Sequence, residues 1–425
     1  MKMKFLLNSL LILFVCSTAI ASDDEMGKIR CATVEYVNRL RAENPNYLEN
    51  KQKDELLVQQ LLLNQAQSRA NDVVYTIPVV VHVLYRTTAQ NISDAQIMSQ
   101  IDVLNEDFAR LNADTALTPS FFRSIAGTSN FQFCLAATDP LGNPTNGIER
   151  RSTTSTSFNT NNNVKHYSSG GLDAWDVNRY FNIWVCNLGS GLLGYAEPPS
   201  GTHSDEYGVV ILYDSFGRVG NVSTPYHKGR TTTHEIGHAF GMEHIWGDDS
   251  NCSGSDGISD TPNQEVETYG CPSTLPSFDN CSSSGNGIMY MNYMDYTDDL
   301  CMNMFTTGQT NRMKLLMEAY YPTLLVSTAC TITSSREAAD KFSFSIYPNP
   351  SDGLVNLDMF LMENVGSNLT ISVSNLLGEI VKSEQISNPN GRTHQLNLGD
   401  QGSGIYFISV FNDNFKKTVR LELIN

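Results

Sequence analysis

"TTTHEIGHAFGMEHIWGDD", residues 231–249, places three of the chain's eight histidines within eleven positions, with a glutamate directly after the first. His234 and His238 are four residues apart, which on a helix puts them one turn apart on one face. Both imidazoles can then reach one cation at roughly 2.0–2.1 Å. Glu235 stands beside such an ion without being a ligand, where it can take a proton from an attacking water. Gly241 can adopt the positive φ that ends the helix and turns the chain, and His244 then returns as a third ligand. Three neutral histidines leave a fourth position open, which suits a catalytic rather than a structural Zn²⁺. The rival is a helix merely decorated with polar residues. Five specified positions match by chance on the order of once in ten thousand sequences, which disfavours it.

The chain upstream reads as an α/β domain. "YTIPVVVHVLYRT" is a β-branched run typical of a buried strand. Next comes an amphipathic helix with Ser93 as N-cap and Ile97, Ile101, Leu104 and Phe108 at helical spacing. "FQFCLA", "FNIWVCNL" and "YGVVILYD" supply further strands, so one twisted sheet is expected. Alternation in the first strand points His82 into a helix–sheet interface, as a satisfied core residue and not a ligand. Downstream, Trp246 to about Tyr321 is a Gly-, Ser-, Asn- and Asp-rich stretch holding four cysteines. A polar linker then precedes regular strands, "FSIYPNP", "GLVNLDMF", "LTISVSNLLGEIV", "HQLNLG", "GIYFISVFND" and "KKTVRLELI", which describe a small antiparallel β-sandwich.

The two ends of the chain bound its location. Lys2 and Lys4, an apolar run from Phe5 to Val15 and Ala19-Ile20-Ala21 form a secretory signal peptide, with cleavage expected after Ala21. Val15 before Cys16 is too bulky for the usual lipobox. No later stretch approaches the roughly 20 apolar residues of a membrane-spanning helix. A formal charge of −17 over 425 residues argues against nucleic acid or anionic lipid as a partner. Export permits disulfides, and Cys31, Cys134, Cys186, Cys252, Cys271, Cys281, Cys301 and Cys330 remain after processing. Residues 22–69 are charged and helix-prone and read as a pro-segment. The organisation expected is a signal peptide over 1–21, that pro-segment, a catalytic domain over 70–325, a linker over 326–341 and the sandwich over 342–425.

"HEIGHAFGMEH" is the signature of the metzincin metalloproteases, and "IPVVVHVLY", "DGISDTP" and "NYMDYTDD" resemble the pappalysin family within them. The resemblance covers residues 77 to about 320. It implies an α/β catalytic domain with a twisted sheet, an active-site helix and a loop-rich lower subdomain, and Met294 in a turn beneath the metal. It further implies a secreted zinc endopeptidase whose peptide substrate lies along an edge strand, "GLLGYAEPPSG". Glu235 is then the general base, and Tyr296, two residues after the turn methionine, a donor to the developing oxyanion. The family pairs Cys252 with Cys281 and Cys271 with Cys301, leaving Cys134, Cys186 and Cys330 open. "SDGISDTP" resembles the family's calcium loop, with Ser255, Asp256, Ile258 and Thr261 as Ca²⁺ ligands and Asp260 as a helper; a plain Asx turn is the rival.

Related enzymes keep their precursors silent with a cysteine on the zinc, a role that Cys31 can fill; a disulfide with Cys330 and an incidental thiol are the alternatives. Some pappalysins cut before Lys or Arg. Asp298 and Asp299 follow the turn methionine closely enough to make a basic P1′ pocket, whereas Leu300 at its floor predicts an apolar one. A basic preference makes Ser68–Arg69 a bond that the enzyme can cut itself. The final module, through "YPNPSDG", "NLLGEIV", "GSGIYFISV" and "KKTVRLELI", resembles the type IX secretion sorting domain. That implies passage through the periplasm and across the outer membrane, with the secretion machinery as partner. Two other classes compete: a non-catalytic surface adhesin on a metalloprotease fold, which the intact Glu235 and histidines disfavour, and a metal-dependent hydrolase of non-peptide substrates.

Overall fold

The structure, a computed structural model, describes residues 30–65, 73–200, 204–330, 342–361, 368–375, 379–387, 393–412 and 416–424. The signal peptide, most of the linker and the Ser68–Arg69 bond lie outside the described residues. Among the described residues no helix is long and apolar enough to cross a membrane.

The chain opens with two helices, α1 (Thr33–Glu43) and α2 (Tyr47–Gln65). The sheet follows: β1 (Tyr75–Tyr85), then α3 (Asp94–Phe108), then β2 (Phe131–Leu135), β3 (Ile148–Ser152), β4 (Phe181–Cys186), β5 (Gly194–Ala196) and β6 (Gly208–Leu212). Its order is β2-β1-β4-β6-β5, with β3 also paired to β1; all pairs are parallel except β5 with β6. The single antiparallel strand is therefore the edge. The "YTIPVVVHVLY" run is buried on both faces, as a central parallel strand should be. Val79, Val81 and Val83 join Ile97, Ile101, Leu104 and Phe108 of α3 in the main core. Each such side chain contributes roughly 1.5–3 kcal/mol of burial. Ser93 Oγ accepts from Gln96 N and so caps α3.

With those valines on the helix side, His82 faces the other way. It stacks on Trp184 at 5.2 Å between ring centroids and bonds Glu149 at 2.8 Å and Asn182 at 2.9 Å. The histidine is satisfied and buried, but not in the helix–sheet interface that alternation predicted. Loops around Trp175 cover it instead.

Three further helices and seven further strands follow among the described residues. The helices are α4 (Arg230–Ala239), α5 (Thr307–Tyr320) and α6 (Pro322–Leu325). The loop-rich stretch between α4 and α5 is stapled by Cys252–Cys281 and Cys271–Cys301, and Cys134 of β2 is bonded to Cys330. Cys31 and Cys186 are free and buried, so the pairing of Cys31 with Cys330 does not occur. The strands are β7 (Phe342–Tyr347), β8 (Leu354–Leu361), β9 (Asn368–Asn375), β10 (Ile380–Ser387), β11 (Thr393–Asn397), β12 (Gly404–Phe411) and β13 (Lys416–Leu423). They form antiparallel sheets β10-β9-β12-β13 and β11-β8-β7 around one apolar core. "LTISVSNLLGEIV" is two strands, not one. Asn375 N donates to Glu379 O, and Glu379 N returns to Asn375 Oδ1, so the run folds back on itself.

Candidate active site

Helix α4 is buried along its whole length. Arg230 at its N-terminus would oppose the helix dipole, but its guanidinium is held by Asp107 at 2.8 Å and by Asp114 at 2.9 and 3.1 Å. Asp299 Oδ2 accepts from the Lys228 and Arg230 amides, capping the same end. The other end closes in a Schellman motif: Met242 N donates to Gly237 O, Gly241 N to His238 O, and Gly241 sits at φ 90°. A Cβ on Gly241 would lie 2.1 Å from Leu316 Cδ1, so space and backbone both demand glycine.

This turn brings the three imidazoles together. His238 Nε2 lies 3.1 Å from His234 Nε2 and 3.0 Å from His244 Nε2. Each Nδ1–H is spent elsewhere: His234 on Tyr293 O at 2.6 Å, His238 on Met242 O at 2.8 Å and His244 on Asp248 Oδ1 at 2.6 Å. Three Nε2 lone pairs therefore face one point. Burial and the neighbouring imidazoles push His234 well below its ordinary value, and burial with His244 pushes His238 down to about 3. Converging acceptors of this kind fit a cation. Ligands of a tetrahedral zinc stand about 3.3 Å apart, close to the spacing seen. Met294 is buried beneath, with Sδ 2.5 Å from where a Cβ on Gly237 would be.

The N-terminal segment fills the cleft above. Cys31 Sγ and the three histidine nitrogens all lie within 4.8 Å of one another. Thr33 Oγ1 and Cys31 Sγ both donate to Glu235 Oε2, at 3.0 and 3.5 Å, while Glu235 Oε1 is buried with no hydrogen-bond partner. Burial pushes the Glu235 carboxyl up to about 8. Ala32 N donates to Gly194 O, and Ala196 N to Thr33 Oγ1, so the segment lies along the edge strand β5. Tyr296 packs on His244 at 4.9 Å, and its hydroxyl donates to the Cys31 carbonyl at 3.4 Å.

Arg30 was not singled out in the sequence. It is fully buried, with Nη2 3.1 Å from Asp299 Oδ1 and its guanidinium 4.9 Å over the Tyr226 ring. Asp298 is half-buried beside this pocket, and Leu300 is 48% exposed and forms no floor. Asp248 and Thr33 were missed as well; Asp248, four residues after His244, carried a readable spacing.

In the "SDGISDTP" loop, Asp256 Oδ1 accepts from Ile258 N at 3.0 Å and from Thr261 Oγ1 at 2.8 Å, and Thr261 Oγ1 also donates to the Ile258 carbonyl. Ser255 Oγ accepts from Gly257 N at 3.1 Å. Asp256 Oδ2 is buried without a partner, and burial raises this carboxyl to about 6. An Asx turn is present, and the orphaned oxygen beside it fits a hard cation. Asp260 Oδ1 accepts from Thr306 Oγ1 and Oδ2 from Gly308 N at the start of α5.

A buried helix bearing His234 and His238, with His244 returned by the turn that ends it and Met294 beneath, defines the class of protein: a metzincin metalloprotease. Residues 164–318 match the family described as Pregnancy-associated plasma protein-A, peptidase M43, and residues 345–423 match the Secretion system C-terminal sorting domain. An extracellular metalloprotease of Trichophyton verrucosum is 32% identical over 249 residues, 58% of this chain and 78% of that protein. Mature mirolysin of Tannerella forsythia, solved with a cleaved peptide, is 53% identical with TM-score 0.59, over 60% of this chain and 96% of that one. A promirolysin mutant from the same organism is 48% identical with TM-score 0.64, over 69% and 95%. The chain belongs to the pappalysin family of metalloproteases and carries a type IX secretion sorting domain. It is an exported enzyme.

Proposed function

We propose that this protein is a latent zinc endopeptidase that cuts peptide bonds before Lys or Arg, with residues 22–69 as its inhibitory segment. The observation that carries this reading is the run Arg30-Cys31-Ala32-Thr33, which takes each working position of the cleft at once. Arg30 stands on Asp299, Cys31 faces the three histidines, and Thr33 covers Glu235. A substrate side chain with a cation can use the Asp299 pocket as Arg30 does, and a desolvated charge pair discriminates strongly. Solved relatives exist both as a mature enzyme with a cleaved peptide and as a pro-form.

His234, His238 and His244 would hold Zn²⁺, and Cys31 would join them in the precursor. Zn²⁺ bound there would supply Lewis acidity toward the scissile carbonyl and the attacking water. Once the segment leaves, Glu235 is free of Thr33 and Cys31 and takes the proton of the attacking water on its carboxylate. It then passes that proton to the departing amine nitrogen. The Tyr296 hydroxyl, which donates to the Cys31 carbonyl in the closed form, donates to the substrate carbonyl oxygen as charge gathers there. Ca²⁺ in the loop of Ser255, Asp256, Ile258 and Thr261 would hold the lower subdomain in shape.

Glu235→Ala is the direct test. The variant should fold and bind one zinc yet lose about 10²–10⁴-fold in peptide turnover. Turnover of a quenched peptide at the unmutated rate rules this mechanism out.

A further inference from the structure

Tyr36 lies on α1 three residues past Thr33, and its side chain is fully buried. Its hydroxyl donates to Glu197 Oε2 at 2.9 Å and accepts from Asn162 Nδ2 at 3.0 Å. Its ring is 5.3 Å from the Tyr195 ring, and the Lys165 ammonium is 5.3 Å from its centroid. The pocket that receives it is braced by its own residues. Tyr195 hydroxyl bonds Asn162 Oδ1 at 3.2 Å, Asn162 Nδ2 also reaches Glu206 Oε2 at 2.7 Å, and Lys165 Nζ donates to Glu206 O at 2.6 Å. Lys165 is buried beside Glu197, 3.5 Å away, which offsets its charge. One acceptor and one donor therefore stand at the end of a slot shaped for a flat ring. A tyrosine satisfies both, whereas a phenylalanine leaves the Glu197 oxygen without its hydroxyl.

The pocket adjoins the catalytic cleft. A cavity of about 670 Å³ is lined by His238, Glu197 and Glu206 on the domain side and by Thr33 and Val37 of α1 on the other. Along the segment the order is Arg30 on Asp299, Cys31 at the histidines, Thr33 on β5, then Tyr36. Two extended steps of about 3.3 Å and three helical steps of about 1.5 Å put Tyr36 at most roughly 11 Å of chain from Cys31. An extended substrate covers that distance in about three residues.

We infer that the pocket of Asn162, Lys165, Tyr195, Glu197 and Glu206 is a second specificity subsite, which selects tyrosine two to four residues before the scissile bond. The side assignment rests on the reading above, in which the Asp299 pocket takes the residue after that bond. In the precursor Tyr36 occupies the subsite; in the mature enzyme a substrate tyrosine does.

The test uses the processed full chain and alanine-based quenched peptides with Arg at P1′. A single Tyr, Phe or Ala is placed in turn at P2, P3 and P4, and a separate pair compares Arg with Ala at P1′. At one of the three positions kcat/KM should rise about tenfold from Ala to Phe and about tenfold again from Phe to Tyr. Glu197→Gln should shrink the Tyr-to-Phe ratio to within about threefold. Rates within threefold of one another at P2, P3 and P4, with the Arg preference intact, overturn the subsite and leave the P1′ reading standing. Loss of the Arg-to-Ala difference alone counts against the Asp299 reading, and a tyrosine peak in that experiment still upholds the pocket.

Discussion

Arg30 is the residue whose removal should loosen the proposed inhibitory segment most clearly. Its guanidinium and Asp299 are both fully buried and 3.1 Å apart. Breaking a buried pair by removing one partner generally costs about 3–5 kcal/mol. Two features place this pair at the lower end. Arg30 Nε and Nη1 have no hydrogen-bond partner, and Asp299 keeps the Lys228 and Arg230 amides when the arginine is gone. A loss of about 3 kcal/mol corresponds to roughly 150-fold weaker inhibition. The assay adds a synthetic peptide of residues 30–65 to the processed enzyme and measures Ki with a quenched substrate. Arg30→Ala should raise Ki by about that factor. Arg30→Lys, which keeps the charge but loses the planar contact with Tyr226, should raise it by roughly tenfold. An Arg30→Ala peptide that inhibits within threefold of the original refutes the anchoring role.

Cys31→Ala in the full precursor should give premature activity and faster loss of the first 70 or so residues; an equally latent, intact variant places the switch elsewhere. Gly237→Ala pushes a methyl into Met294 Sδ, and the overpacking outweighs the better helix propensity by about 1–2 kcal/mol. The melting temperature should fall by roughly 2–8 °C, and an unchanged value shows that the turn yields. Glu55 of α2 accepts two hydrogen bonds from Arg312 of α5, which hold its carboxyl below the usual 4.5. Its contribution to docking is thus full above 4.5 and fades as pH falls through the lowered value. The pair is partly exposed, so peptide affinity should fall by no more than about fivefold relative to Glu55→Gln on acidification. Identical pH curves for the two peptides dispose of that contact.

Much of the fold was legible because its signals are local. His234 and His238 sit one turn apart on one helix with Gly241 just past its end, and Ser93 with Ile97, Ile101, Leu104 and Phe108 announce α3 by period alone. What escaped depends on contacts that no spacing records. Arg30 finds Asp299 across 269 positions, and Cys134 meets Cys330 across 196. His82 was read correctly as buried, but alternation gives two faces without saying which one the helices cover. The break between β9 and β10 was missed because apolar residues continue through it in the sequence. Asp260 entered only as a helper through the resemblance to a calcium loop, and its bonds to Thr306 Oγ1 and Gly308 N at the start of α5 are contacts that no spacing records.

The central claim is that metal held by His234, His238 and His244 cleaves peptides before a basic residue selected by Asp299. A cleavage profile of the processed enzyme on a proteome-derived peptide mixture, run with and without a chelator, tests it most directly. The account predicts Lys and Arg enriched at P1′, abolition by the chelator and recovery on adding back zinc. Chelator-resistant cleavage, or cleavage with no basic enrichment at P1′, contradicts it.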